Sequence, residues 1–303
     1  MSAKRIVDGT IVINLIVILL GATVRATGSG AGCGRSWPTC QGQVLPALEG
    51  ATAIEFTHRA ASGVALLAVA WMVTVIFRSS QRGSLVRKGA VAVAISIVIE
   101  ALIGMVIVMA EWVADDASVA RAVSVPIHLV STFVLLAGLV MTRFWLSVPT
   151  PTHAPLRHHR GLLAIGLGML AIAATGAVTA LADTLFPKEL DLTFAVTEGE
   201  HFLTRLRVAH PIVAVIVGGI AAWFAARRFD GPARRPARIV VGAVVIQIGL
   251  GAASVAFLNP LALSLLHLAV ADVLWMAWVW LALELTAVRS GNASPALDVS
   301  PHP

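Results

Sequence analysis

The chain has 303 residues, 58% hydrophobic and 13% charged, with a formal net charge of +6 and a mean hydropathy of +0.87. Soluble domains carry about 25% charged residues, so this composition, with its long apolar runs, excludes a soluble globular protein and indicates a polytopic membrane protein. The basic excess sits in short loops between apolar runs, where it is a topology signal, and nucleic acid is excluded as a partner.

Apolar runs of spanning length occupy residues 10–27, 53–77, 89–110, 121–146, 160–182, 207–226, 238–257 and 260–288. They predict an all-α integral membrane protein with eight transmembrane helices. The first run follows the basic start "MSAKR". No small-residue cleavage site follows a short apolar core there, so it reads as a retained helix. Orientation follows from Lys and Arg. The N-terminus, the loops after spans two, four and six and the C-terminus hold fifteen of them; the opposite side holds seven, among them Arg25, Arg35, Arg59, Arg121, Arg205 and Arg207. Both termini are therefore expected in the cytoplasm of a bacterial cell membrane.

The two cysteines, Cys33 and Cys40, then fall in a Gly-rich outer loop, "GCGRSWPTCQG". That is an oxidising compartment, where the pair can close a small ring. On the residues alone, a plain structural staple accounts for it.

The chain also repeats itself. "VAVAISIVIEALIG" of span three aligns with "IVVGAVVIQIGLG" of span seven, matching Glu100 to Gln247 and Gly104 to Gly251. Span two aligns with span six, and "VPIHLVSTFVLL" of span four with "LSLLHLAVADVL" of span eight. Four helices per half is an even number, so the halves share one orientation as a parallel repeat. The expected architecture is two pseudo-symmetric four-helix bundles, residues 1–150 and 151–290, followed by a disordered cytoplasmic tail at 291–303.

Of nine histidines, His153, His158, His159, His201 and His302 fall in loops or the tail and are expected to be solvated. His58, His128, His210 and His267 fall in the even-numbered spans, near the outer end of each, two per half. Ionisable side chains at membrane depth are rare and usually functional. A helix-to-helix hydrogen bond accounts for a single such histidine. Four in duplicate pairs at matched depth point to haem iron, for which imidazoles are axial ligands and an apolar bundle supplies the slot. Zinc fits less well, because no carboxylate or thiol accompanies the pair at ligand spacing in both halves. Arg25, Arg59, Arg205 and Arg207 are candidate contacts for haem propionates, against interfacial snorkelling as the alternative.

The halves differ in chemistry. Glu55 precedes His58 by three residues, on the same helical face, whereas the matching position before His210 is Arg207. A carboxylate beside one haem site can move protons or stabilise a cationic intermediate; a helix N-terminal charge is the structural alternative. Glu100 and Asp272 are also at membrane depth and have no assigned role.

These stretches carry a resemblance. "GATVRATGSGAGCGRSWPTCQG", "EFTHR", "PIHLV", "RLRVAHP" and "LLHLAVAD" resemble the haem A synthase family over about residues 10–288. The resemblance implies an oxidoreductase that converts haem O to haem A by oxidising the C8 methyl to a formyl group, for haem–copper oxidase biogenesis. It implies His58 and His128 as ligands of the substrate haem, His210 and His267 as ligands of a resident haem b, Glu55 as the catalytic carboxylate and Cys33–Cys40 as a disulfide. Expected partners are the lipid bilayer, the farnesyltransferase that makes haem O and an electron carrier; a homo-oligomer is compatible. Some relatives carry a second cysteine pair between spans five and six, which this chain lacks, and the glycine-rich pattern after span one is lost after span five. A bis-His dihaem electron carrier and a haem chaperone remain as alternatives; both leave Glu55 unexplained.

Overall fold

A computed structural model describes residues 2–148, 152–153, 159–187 and 201–288. The expected cytoplasmic tail and most of the loop between spans five and six lie outside the described residues. Among the described residues, eight helical segments are long and apolar enough to cross a membrane. They comprise α1 (Ala3–Ala26), α2 (Gly50–Ser79), α3 (Leu85–Met109), α4 (Val119–Trp145), α5 (Arg160–Leu185), α6 (Phe202–Leu206) followed by α7 (Ala209–Ala226), α8 (Arg234–Ala256) and α9 (Leu261–Thr286). The two-residue strands β1 (Thr152–His153) and β2 (Ala287–Val288) pair antiparallel.

Several helices begin before their apolar runs, because capping rather than hydropathy sets a helix start. The hydroxyls of Ser2, Ser84 and Ser118 accept from the backbone N–H groups of Arg5, Arg87 and Arg121. Each satisfies a donor that the first turn would leave unpaired. The sixth span also departs from the uninterrupted run expected at 207–226: it starts at Phe202 and breaks at Arg207–Val208. Pro211 has no N–H to return to the Arg207 carbonyl, and the Thr179 hydroxyl donates to that carbonyl instead, at 3.5 Å.

The same helix pairs pack in each half. In the first, α1 meets α2 and α4, and α3 meets α2 and α4; in the second, α5 meets α7 and α9, and α8 meets α7 and α9. Across the halves α4 packs on α5 and α9, and α1 on α9 and α5. Apolar burial gains little between helices in lipid, so close approach and packing must hold them. A Cβ added at Gly138 would lie 3.0 Å from Val93, and one at Gly168 would lie 2.7 Å from Val217. Aromatic contacts help stitch the halves. The Trp275 indole donates to the Phe133 carbonyl at 2.6 Å, with the two rings stacked at 5.8 Å. Phe144 and Trp280 meet edge to face at 5.3 Å.

The core is asymmetric along the bundle. Its fully buried side chains include Val7, Ile76, Ala90 and Leu139 of the first half and Ala225, Ala237, Val240 and Leu281 of the second. All lie at the end away from the cysteine loop. That end is solid. The end bearing the cysteines encloses a cavity of about 1280 Å³.

Candidate haem-binding site

All four membrane histidines line this cavity. Each stands over a glycine of the preceding span. A Cβ at Gly21 would lie 2.9 Å from His58 Cε1, and one at Gly176 would lie 2.9 Å from His210 Cε1. The corresponding distances are 3.9 Å from Gly104 to His128 Cε1 and 3.6 Å from Gly251 to His267 Cε1. Gly104 and Gly251, matched in the sequence, thus each face an imidazole, and Gly21 and Gly176 face the other two.

The rings of His210 and His267 have centroids 6.3 Å apart and planes at 82°. Two metal–nitrogen bonds of about 2 Å each, plus the depth of each ring, span roughly 6 Å between centroids. The observed separation is of that size. His210 Nδ1 lies 3.2 Å from the Ile172 carbonyl and 3.4 Å from the Thr175 hydroxyl, which leaves Nε2 for a ligand. In the other pair, His128 Nδ1 lies 2.9 Å from Glu100 Oε2, though not aligned as a straight hydrogen bond. The Nδ1 atoms of His58 and His267 are buried without a hydrogen-bond partner.

Glu55 is buried and lines the same cavity. Its Oε2 accepts from the Cys33 backbone N–H at 2.7 Å, and its Oε1 accepts from Arg59 Nη2 at 2.5 Å and Nε at 3.1 Å. Arg59 in turn donates through Nη1 to the carbonyls of Ser36 and Thr39. Cys33 and Cys40 form a disulfide, and both are fully buried. The loop closed by that bond is thus fixed to the helix that carries His58, by a carboxylate one turn away and a guanidinium beside it. Gly32 sits so close to α2 that a Cβ there would lie 2.5 Å from the Ala51 carbonyl carbon.

Of the four arginines named as propionate contacts, Arg25, Arg59 and Arg207 line the cavity; Arg205 is exposed and is not among the lining residues. Arg25 crosses to the other half, donating to the Ala180 carbonyl at 2.6 Å and the Thr184 hydroxyl at 2.8 Å. Arg207 pairs with Asp183 at 2.8 Å and donates to the carbonyls of Ala182 and Phe186. Arg121, in the sequence only one outer-side cation among seven, is buried, lines the cavity and donates to the carbonyls of Ala114 and Asp116. His201, expected to be solvated, is half-buried and stacks on Phe186 at 4.8 Å. Asp272 is fully buried, with neither carboxylate oxygen hydrogen-bonded, and it does not line the cavity.

Among the described residues, no three His, Cys, Asp or Glu side chains gather to hold a metal ion. A porphyrin brings four nitrogens of its own, so two imidazoles complete its iron. The donor set, the glycine floors under the rings and the arginines at the cavity wall all fit haem. The volume also exceeds the roughly 300–1,000 Å³ of a typical small-ligand pocket.

Eight membrane helices around a histidine-lined cavity define a multi-pass membrane protein of the haem-handling class. A family model described as cytochrome oxidase assembly protein (COX15-CtaA) matches residues 4–279. A Thermus thermophilus protein named Protoheme IX farnesyltransferase is 42% identical over 287 residues, covering 90% of this chain and 47% of that protein. The chain thus spans about half the length of that relative. Proteins named Heme A synthase match over shorter stretches: 47% identity over 60 residues in Bacillus pumilus, 20% of each chain, and 39% over 101 residues in Staphylococcus carnosus, 33% of this chain and 32% of that one. The chain belongs to the COX15-CtaA family, that of the haem A synthases.

Proposed function

We propose that this protein is an integral-membrane oxidoreductase converting haem O to haem A by oxidising the C8 methyl to a formyl group, through successive hydroxylations and loss of water. The observation that carries the reading is a single cavity lined by two histidine pairs, with Glu55 one turn before His58 where Arg207 stands one turn before His210. His58 and His128 hold the substrate haem. His210 and His267 hold a resident haem b, which supplies electron-transfer chemistry when bound. The two sites lie in halves, residues 1–150 and 151–290, related as a parallel repeat; the matched helix contacts and glycine–histidine pairs support this.

The chain's own residues supply placement. The imidazoles fix the depth and tilt of each macrocycle, and the apolar wall excludes water from the reacting edge. Glu55, paired with Arg59 and accepting from the Cys33 N–H, presents its carboxyl group to that edge, where a cation developing on the substrate is stabilised. Arg25, Arg121 and Arg207 line the wall where carboxylates would emerge, and guanidinium forks match them. The protein sits in a bacterial plasma membrane with both termini cytoplasmic, a reading supported by the fifteen-to-seven distribution of Lys and Arg. A farnesyltransferase supplying haem O is the expected partner, supported by the name of the Thermus relative.

The test is pigment extraction after co-expression with a source of haem O. Formyl haem should appear with the intact protein and fall at least about 100-fold in Glu55→Gln, the scale of a lost electrostatic stabiliser of the transition state. Glutamine keeps an acceptor for the Cys33 N–H, so haem content should hold. Product at the normal rate in that variant removes Glu55 from the chemistry. Two tightly bound haems with no formyl product from the intact protein would make it an electron carrier.

A further inference from the structure

Glu100 was left without a role by the sequence, and the site's chemistry does not require it. Yet it is the carboxylate that faces His128, with Oε2 2.9 Å from Nδ1. Two hydroxyls one turn further along α4 turn to it as well: Ser131 donates to Oε1, and Thr132 donates to Oε2 at 3.0 Å. Both hydroxyls also reach the His128 carbonyl, at 2.9 and 2.8 Å. Histidine, carboxylate, Ser and Thr form one polar cluster at membrane depth, and polar groups there are costly unless they serve something.

The second half lacks all of it. In the register fixed by Gly104 over His128 and Gly251 over His267, Glu100 corresponds to Gln247, Ser131 to Val270 and Thr132 to Ala271. His128 Nδ1 makes no aligned hydrogen bond either, but it has the Glu100 carboxylate 2.9 Å away. His267 Nδ1 and Gln247 Oε1 are buried without a hydrogen-bond partner, and no ion pair reaches this imidazole among the described residues. One histidine therefore has a clamped anion behind it, while its counterpart has none. All three positions of the cluster thus differ between the halves.

We infer that Glu100, braced by Ser131 and Thr132, is a positioning residue that holds His128 with Nδ1–H toward the carboxylate and Nε2 toward iron. Its absence from the second half makes the two haem irons electronically unequal. This inference rests on the reading of His128 as a haem ligand. A carboxylate behind a metal-bound imidazole fixes its tautomer and raises its basicity. The iron on His128 is then the more electron-rich of the two and the harder to reduce. The cluster marks the half that would hold the substrate haem. Sequence divergence and the cluster's geometry thus agree with Glu55 on which half reacts.

The test is a redox titration of the haem-loaded protein in detergent, followed by visible absorbance and low-temperature EPR. Glu100→Gln should raise the midpoint of one haem by about 59 mV, equivalent to about a tenfold change in its ferric-to-ferrous ratio, and leave the other haem unmoved. Ser131→Ala with Thr132→Val should move the same haem in the same direction by less, and guards against a folding failure of the first variant. Gln247→Glu should lower the midpoint of the second haem. His128→Ala separates the two claims. If it removes one haem signal while Glu100→Gln leaves every midpoint and EPR g-value unchanged, Glu100 is not a positioning residue. If His128→Ala leaves both haem signals intact, the ligand assignment itself falls and takes this inference with it.

Discussion

At the scale of single residues, the site depends on what is missing as much as on what is present. The imidazoles of His58 and His210 lie where the side chains of Gly21 and Gly176 would be, so no larger residue can stand there without displacing a ring. Gly176→Ala is expected to push His210 off its position relative to His267, since its Cβ would meet Cε1 at 2.9 Å. Overpacking of this kind costs about 1–3 kcal/mol, so haem affinity of that pair should fall by roughly tenfold or more, at 1.4 kcal/mol per decade. Reconstitution with haem, read by the bis-His absorbance, checks it; full affinity in the variant would show that the ring has room to move. The four histidines were legible in the sequence because charge-capable side chains stand out in apolar helices. Their glycines were not, because glycine is common in transmembrane helices and only the fold shows which one faces a ring. Arg121 was hidden for a similar reason: counted as one outer-side cation among several, it gave no sign of its burial.

At the scale of elements, the cysteine loop and the first turns of α2 act as one unit. The Cys33–Cys40 bond closes a ring of eight residues, whose loop-closure entropy corresponds to about 2.5 kcal/mol in the chain-entropy model. The ring is tied to α2 through Glu55 and Arg59 and presses Gly32 against its backbone. Cys40→Ser is therefore expected to loosen Glu55 as well as the loop. Haem should be lost from the His58–His128 site by several-fold while the His210–His267 site, remote from this loop in the sequence and without a cysteine ring of its own, keeps its pigment. Spectra of the purified variant before and after reduction decide the matter; equal loss from both sites would make the disulfide a general staple. Apolar runs located every span, since hydropathy reports what lipid requires. They misplaced ends, since capping serines and the missing N–H of Pro211 act on the backbone and leave hydropathy unchanged.

At the scale of the whole molecule, the bundle is solid at one end and hollow at the other, and the halves are joined through both. The buried side chains opposite the disulfide clamp α1–α4 against α5–α9, so the cavity end can be lined with polar groups without the halves separating. Trp275 sits where solid gives way to hollow: it lines the cavity, stacks on Phe133 and donates to the Phe133 carbonyl across the interface. Trp275→Phe keeps a ring in the stack but removes the donor. An interhelical hydrogen bond within a membrane is worth about 0.6–2 kcal/mol, so the loss should lower the melting temperature modestly. A contact that serves one haem pocket would release one pigment first. A contact that holds the halves together should release both at the same temperature, because each cavity wall is completed by the other half: Arg25 of α1 is anchored on the Ala180 carbonyl and Thr184 hydroxyl of α5. Thermal release of the two haems, followed separately by their absorbance, is thus expected to stay concerted in Trp275→Phe and to split in Gly176→Ala. Split release in Trp275→Phe would mean that each half holds its haem unaided.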